Sequence, residues 1–294
     1  MILITGTSGF IGSSLLKEAI KTYGKMQVIA LTSKTELGCN FLFHQYYQFS
    51  ENYFIDNGYE NVDTIIHAGA FTPKISSEAD DIEKSTSNIT NTYHLISASF
   101  PNLRRFIYLS TIDVYGKDKI ITENSPVSPV SLYGESKLYC EKMITSWAKS
   151  KNISCLILRV GHVYGPGEEA YKKLIPITMR QIINDNSVKL YGKGEDLRSF
   201  IFISDVVKAI LNSIRLQSNY EIINIVGDQS IRVKDLIIKI ITMSCKKVTI
   251  EHVAIDIPPR DMVFNNSKLK ELLHTPKVSL DTGLNLEWEY LNKQ

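Results

Sequence analysis

Met1-Ile2-Leu3-Ile4-Thr5-Gly6-Thr7-Ser8-Gly9-Phe10-Ile11-Gly12 opens the chain and decides its fold. A short apolar run ends in three glycines spaced three apart. Directly after them, within 13–21, Leu15, Leu16, Ala19 and Ile20 recur at helical spacing. The order is strand, tight turn, helix. Glycine permits the turn and lets a pyrophosphate approach the backbone. The helix start adds free N–H groups and a positive dipole end. Gly6, Ser8, Gly9, Phe10, Ile11 and Gly12 are therefore candidates for a phosphate cradle.

Outward from this turn the chain alternates strand-like and helix-like segments. Apolar runs at 28–31, 63–68, 106–110 and 155–159 read as buried strands, and 81–99 and 133–150 have helical character. The pattern predicts an α/β fold, a Rossmann-type doubly wound parallel sheet covered on both faces. Beyond 160 it loosens, with helices expected over 171–184, 205–216 and 233–243. Strands are expected on either side of Gly192-Lys193-Gly194 and over 221–226. The expected division is an NAD(P)-binding domain of 1–160 and 200–226, and a smaller C-terminal α+β substrate-binding region of 161–199 and 227–294. The second would dock at the sheet's carboxyl edge, where open α/β sheets place ligands.

Composition narrows the partners. The 294 residues are 44% apolar and 22% charged with a net charge of +2, so neither nucleic acid nor a membrane surface is expected. No apolar run approaches membrane-spanning length. The apolar start lacks the basic leader of a signal peptide. Cys39, Cys140, Cys155 and Cys245 lie far apart, which predicts buried reduced thiols in a cytoplasmic protein rather than a zinc site or a disulfide framework.

The end of the second strand bears on the cofactor. A carboxylate there would hydrogen-bond the ribose 2′-hydroxyl of NAD. Thr32-Ser33-Lys34 offers two hydroxyls and an ammonium instead. The set favours NADP(H), with NAD(H) possible if Lys34 is only a solvated loop lysine.

The candidate chemistry sits in Ser131-Leu132-Tyr133-Gly134-Glu135-Ser136-Lys137. Tyr133 and Lys137, four apart on a helix, share one face. An ammonium there would stabilise the phenolate and lower the Tyr133 pKa. Thr111, in Ser110-Thr111-Ile112-Asp113-Val114-Tyr115-Gly116, ends a predicted central strand and can hydrogen-bond a substrate oxygen.

Taken together these stretches resemble an extended short-chain dehydrogenase/reductase of the NAD-dependent epimerase/dehydratase family, which acts on nucleotide sugars. The resemblance also rests on His67-Ala68-Gly69-Ala70, Arg159-x-x-x-Val163-Tyr164-Gly165-Pro166 and Gly192-x-Gly194-x-x-x-Arg198-Ser199-Phe200-Ile201. It implies that Tyr133 is the acid/base, Thr111 holds the sugar oxygen, and Lys137 holds the nicotinamide ribose. It places Ala68, Gly69 and Ala70 at the cofactor and makes Asn88 a structural asparagine. It assigns Arg198, and less directly Arg260, to the substrate diphosphate. It further implies a homodimer through helices near 88–99 and 133–150, although Leu95, Ile96, Met143, Ile144 and Trp147 could equally be core.

Two departures inform the reaction. His162 replaces an asparagine of the pattern and would titrate near neutral pH. Ile112 and Asp113 stand where the 4,6-dehydratases carry an Asp-Glu pair, and isoleucine cannot protonate a leaving hydroxyl. Asp113 is either a proton-transfer group or a buried carboxylate capping backbone. The leading expectation is NADPH-dependent reduction of a nucleoside-diphosphate 4-keto-6-deoxyhexose at C4. The alternatives are a UDP-sugar 4-epimerase with tightly held NAD, and a non-catalytic NADP-binding sensor or scaffold.

Overall fold

The computed structural model describes residues 1–33, 40–44, 47–168, 170–254 and 260–294. Lys34 and Cys39 lie outside the described residues. Along the first part run β1 (Ile2–Thr5), α1 (Phe10–Tyr23), β2 (Val28–Thr32), β3 (Asn40–Phe43), α2 (Tyr53–Asp56), β4 (Thr64–His67), α3 (Ile82–Ser97), β5 (Arg105–Thr111), α4 (Leu132–Ser150) and β6 (Ser154–Val160). There follow β7 (His162–Tyr164), α5 (Leu174–Ile183), β8 (Val188–Tyr191), β9 (Leu197–Phe202), α6 (Ile203–Ser213), β10 (Tyr220–Ile225), β11 (Ser230–Arg232), α7 (Val233–Ser244), β12 (Ile250–Val253), α8 (Ser267–Leu273) and α9 (Leu280–Leu291).

Seven strands form one sheet in the order β10-β6-β5-β4-β1-β2-β3, and all its pairings are parallel. The apolar strand sequences follow from this. A parallel strand covered on both faces has no polar side to show. Alternate residues enter different cores. Ile2, Ile4, Val28, Ala30, Ile107 and Leu109 join the α1 and α6 side. Leu3, Ile29, Leu31, Phe106 and Tyr108 join the side bearing Leu95 and Ile96 of α3 and Ile144 of α4. Truncating the leucines, isoleucines or aromatic residues among these to alanine would cost roughly 2–5 kcal/mol. Leu95, Ile96 and Ile144 are thus core, with Met143 and Trp147 packed against them.

The strand order reverses between β1 and β4, and the crevice at such a point receives ligands. The C-terminal part adds a β11-β9-β7 sheet and a β12-β8 pair over that edge. Sequence periodicity did not reveal β3, β7, β11, β12, α2, α8 or α9. Most are only three to seven residues long, too short for a period to register. The thiols need one correction. Cys140 and Cys155 are buried, but Cys245 is exposed, because it caps α7 in the left-handed region at φ 55°.

Candidate active site

One cavity of about 1040 Å³ opens along the switch point. Gly6, Ser8, Gly9, Phe10, Ile11, Gly12, Thr32, Ser33, Ala68, Gly69 and Ala70 line one end. Thr111, Asp113, Tyr133, Lys137, His162 and Arg198 line the other. Arg260 is the exception. It lines a neighbouring hollow with Lys117, Asp118, Lys119 and Asp261, where its NH2 donates to the Tyr115 carbonyl at 2.8 Å.

The glycines are needed for close approach. Gly6 has φ +70°, and a Cβ there would lie 2.5 Å from Gly69 Cα. A Cβ on Gly12 would sit 2.1 Å from the Gly6 carbonyl oxygen. The turn can therefore bring backbone N–H groups to the cavity with no side chain in the way. That fits a dinucleotide pyrophosphate at the start of α1.

His67 fixes this turn, a role the sequence did not signal. The Gly69 amide donates to Thr5 Oγ1 at 2.8 Å, and Thr5 Oγ1 lies 2.8 Å from His67 Nδ1. Thr92 Oγ1 donates to the Asn88 carbonyl at 2.7 Å, so His67 Nε2, 3.1 Å away, is the donor to Thr92. Thr5 then donates to Nδ1. Burial first, then the Lys137 charge, pushes the imidazole down to about 3. His67 is a neutral clamp between the ends of β1 and β4.

Asn88 does a similar job for the catalytic side. Its Oδ1 accepts from the Phe71 amide at 2.7 Å, and its Nδ2 donates to the Phe71 carbonyl at 3.3 Å and to Ser136 Oγ at 3.2 Å. The loop after β4 is thereby tied to α4 one residue before Lys137. Thr72 of that loop lies beside the Tyr133 hydroxyl and favours its ionised form.

Helix α4 starts at Ser131, whose Oγ accepts from the Gly134 amide at 3.2 Å. Tyr133 is consequently in the first turn. Gly134 allows the helix to press on the strand end: a Cβ there would lie 2.7 Å from the Asp113 carbonyl. Tyr133, Lys137 and Thr111 are 7%, 2% and 6% exposed, so the reacting groups are dry. Thr111, expected to act on the same oxygen, lies beside the Tyr133 hydroxyl and favours its ionised form.

One expectation is corrected here. The Tyr133 phenol lies above its ordinary pKa, raised by burial first and the Asp113 charge next. Lys137 Nζ donates to the Leu109 carbonyl at 2.6 Å and lies 4.2 Å from the Tyr108 ring centroid. Burial lowers Lys137 to about 8. In this state the lysine is held by a carbonyl and an aromatic face, and burial outweighs any lowering of the phenol.

Behind the strand end, Ser110 Oγ donates to Glu141 Oε1 at 2.5 Å. Arg159 grips the same carboxylate through Nε at 3.0 Å and NH2 at 2.7 Å. The pair is 4% and 6% exposed. Removing one member would strand a buried charge, at about 3–5 kcal/mol. Glu141 lies one turn beyond Lys137, so this bridge holds β5, β6 and α4 in register beneath the reacting groups.

The substrate end carries both signs, with Arg198 and Lys173 among Asp113, Glu168 and Asp196. Arg198 NH1 donates to the Leu197 carbonyl at 2.9 Å and also to the Arg260 carbonyl. Lys173, missed in the sequence, lines the cavity with its Nζ 4.9 Å from the Tyr171 centroid. His162 does not titrate near neutral pH. Burial first, then the Arg198 and Lys173 charges, pushes it down to about 4. Ile112 is buried with Val114, Tyr115 and Leu138.

Comparisons with known proteins agree with this geometry. A sequence model of the NAD dependent epimerase/dehydratase family matches residues 2–226. The chain is 32% identical to the uncharacterized UDP-glucose epimerase YtcB of Bacillus subtilis, over 99% of this chain and 98% of that protein. It is 29% identical to the dTDP-4-dehydro-6-deoxyglucose reductase of Escherichia coli, over 96% of this chain and 95% of that protein. It is 29% identical to the dTDP-D-glucose 4,6-dehydratase of Dictyostelium discoideum, over 83% of this chain but only 62% of that protein. Among solved structures, the UDP-glucuronic acid 4-epimerase of Bacillus cereus, in complex with UDP-glucuronic acid and NAD, superposes with a TM-score of 0.86. Its identity is 25%, and 99% of both chains is covered. With its glycine turn, its Thr111–Tyr133–Lys137 set and a match over most of its length, the chain belongs to the NAD-dependent epimerase/dehydratase family, whose members here are nucleotide-sugar epimerases, dehydratases and reductases.

Proposed function

We propose that the protein oxidises and re-reduces C4 of a nucleoside-diphosphate hexose, as a 4-epimerase. The observation that carries this is Tyr133 and Thr111 meeting, buried, in a cavity shared with the glycine turn. The full-length similarity to epimerases supports the reaction. Ile112 argues against water elimination, since it brings no acid to the site.

The glycine turn and Thr32–Ser33 would hold the dinucleotide. When bound, the nicotinamide supplies or accepts the hydride. Tyr133 gives or takes the proton on the C4 oxygen, and Thr111 holds that oxygen in place. Such acid/base work contributes ~10²–10⁴-fold. Lys137, charged below about 8, offsets the phenolate whenever Tyr133 has lost its proton. Arg198 and Lys173 supply the positive field for a diphosphate. In this proposal 1–160 with 200–226 carries the cofactor, and 161–199 with 227–294 carries the sugar nucleotide.

Reduction of a 4-keto-6-deoxy sugar is the second reading. It is favoured by the end of β2, where Thr32 and Ser33 bring no carboxylate against a 2′-phosphate, and by the similar reductase. Incubating the purified protein with UDP-hexoses, and with a 4-keto sugar nucleotide plus NADH or NADPH, separates the two. Interconversion of epimers without net change in cofactor absorbance supports epimerisation. Stoichiometric NADPH consumption supports reduction, and no turnover of any sugar rejects both.

Ile82, Tyr93 and Tyr139 are 73%, 55% and 55% exposed, on the helices α3 and α4 where a homodimer is proposed to form. Light scattering reporting a monomer would reject that assembly.

A further inference from the structure

We propose that Asp113 is a positioning residue that decides whether the site receives C4 as an alcohol or as a ketone, by fixing which way the Thr111 hydroxyl points. The inference rests on the C4 reading above.

A threonine hydroxyl has one proton and two lone pairs. Thr111 Oγ1 donates that proton to Asp113 Oδ2 at 3.2 Å and accepts the Asp113 amide at 3.2 Å. The Tyr133 hydroxyl lies beside the same Thr111, and Asp113 lines the same cavity. Tyr133 and Asp113 thus flank Thr111 at the place where the sugar oxygen is held.

An ionised carboxylate can only accept. While Asp113 is ionised, the one Thr111 proton is committed to it, and Thr111 shows the sugar oxygen a lone pair. A carbinol O–H can donate to that lone pair, whereas a carbonyl oxygen cannot. When Asp113 takes one proton from solvent, its own O–H can donate to Thr111, and the Thr111 proton turns to the cavity. A carbonyl then gains a donor. No other bond forms or breaks in this step.

The surroundings favour the protonated carboxyl more than water does. Burial raises the Asp113 pKa, against the Thr111 bond and the charges of Arg260, Lys173 and Arg198. Tyr133 faces it across Thr111, Lys137 lies one turn further along α4 on the Leu109 carbonyl, and His162 is uncharged near neutrality.

The test reads binding without turnover. Cofactor-loaded Tyr133→Phe, and Tyr133→Phe with Asp113→Asn, are titrated calorimetrically from pH 5 to 8 with UDP-glucose and with UDP-4-keto-6-deoxyglucose. The expected result is keto-sugar affinity rising on the order of tenfold as pH falls, with UDP-glucose affinity not following. In the double variant, whose asparagine amide can donate to Thr111 at every pH, the keto-sugar affinity is flat. Unchanged cofactor affinity confirms that the variants are folded. In the enzyme with Tyr133 intact, Asp113→Asn is expected to flatten the pH dependence of KM for the keto sugar. An identical pH dependence with and without Asp113, or parallel curves for the two sugars, overturns the inference while leaving the C4 reading standing. Failure of both nucleotides to bind at any pH overturns both.

Discussion

The two ends of the cavity are built by different means. The dinucleotide end is made of backbone. Its shape comes from Gly6, Gly12 and Gly69 packed so closely that a single Cβ would collide, and His67 locks it from behind. The sugar end is made of side chains: Arg198, Lys173, His162 and Asp113 project from four separate segments. A backbone site is rigid and tolerates little substitution. A side-chain site can be re-specified one residue at a time, which is how one fold serves different nucleotide sugars and different outcomes at C4.

This contrast can be broken by substitution. Between the two ends stands Tyr133, and Tyr133→Phe should lose ~10²–10⁴-fold in turnover with cofactor affinity unchanged by fluorescence titration. Retained turnover would remove the proposed acid/base. At the backbone end, Gly12→Ala forces a Cβ towards the Gly6 carbonyl, a strain of about 1–3 kcal/mol. It should cut cofactor affinity roughly 10- to 100-fold by calorimetry. At the side-chain end, Arg198→Ala should raise KM for the nucleotide sugar roughly tenfold, the loss expected of one charged hydrogen bond, and leave cofactor affinity alone. If Arg198→Ala weakens the cofactor as much as the sugar, the two ends are not separate.

The smallest effect is a displacement on the pH axis. Lys137 is charged below about 8 and neutral above it. Reduction of a keto sugar leaves a phenolate at Tyr133, which the ammonium offsets. The rate should therefore fall as pH rises through about 8, and Lys137→Arg, which stays charged, should move that limb upward. An unmoved limb would mean that another group sets it.

The same contrast explains how much could be read beforehand. The glycine turn, the buried parallel strands and the Tyr133–Lys137 spacing are local patterns, and the sequence displays them directly. Thr111 was legible because it ends an apolar run. His67 was visible only as part of a stretch, since its role depends on Thr5 and Thr92, 62 and 25 residues away. Thr72 and Lys173 lie in loops whose paths no period encodes. The expected drop in the Tyr133 pKa failed for a related reason: helical spacing predicts a shared face, but not that Lys137 would turn to the Leu109 carbonyl.

The measurement closest to the central claim is isotopic. UDP-glucose carrying deuterium at C4 is incubated with the protein and dinucleotide, and the label is located by mass spectrometry and NMR. The account predicts deuterium on the nicotinamide, or on C4 of the epimeric sugar. Deuterium that remains on C4 of unchanged UDP-glucose, while another sugar nucleotide is turned over at a different carbon, would contradict it.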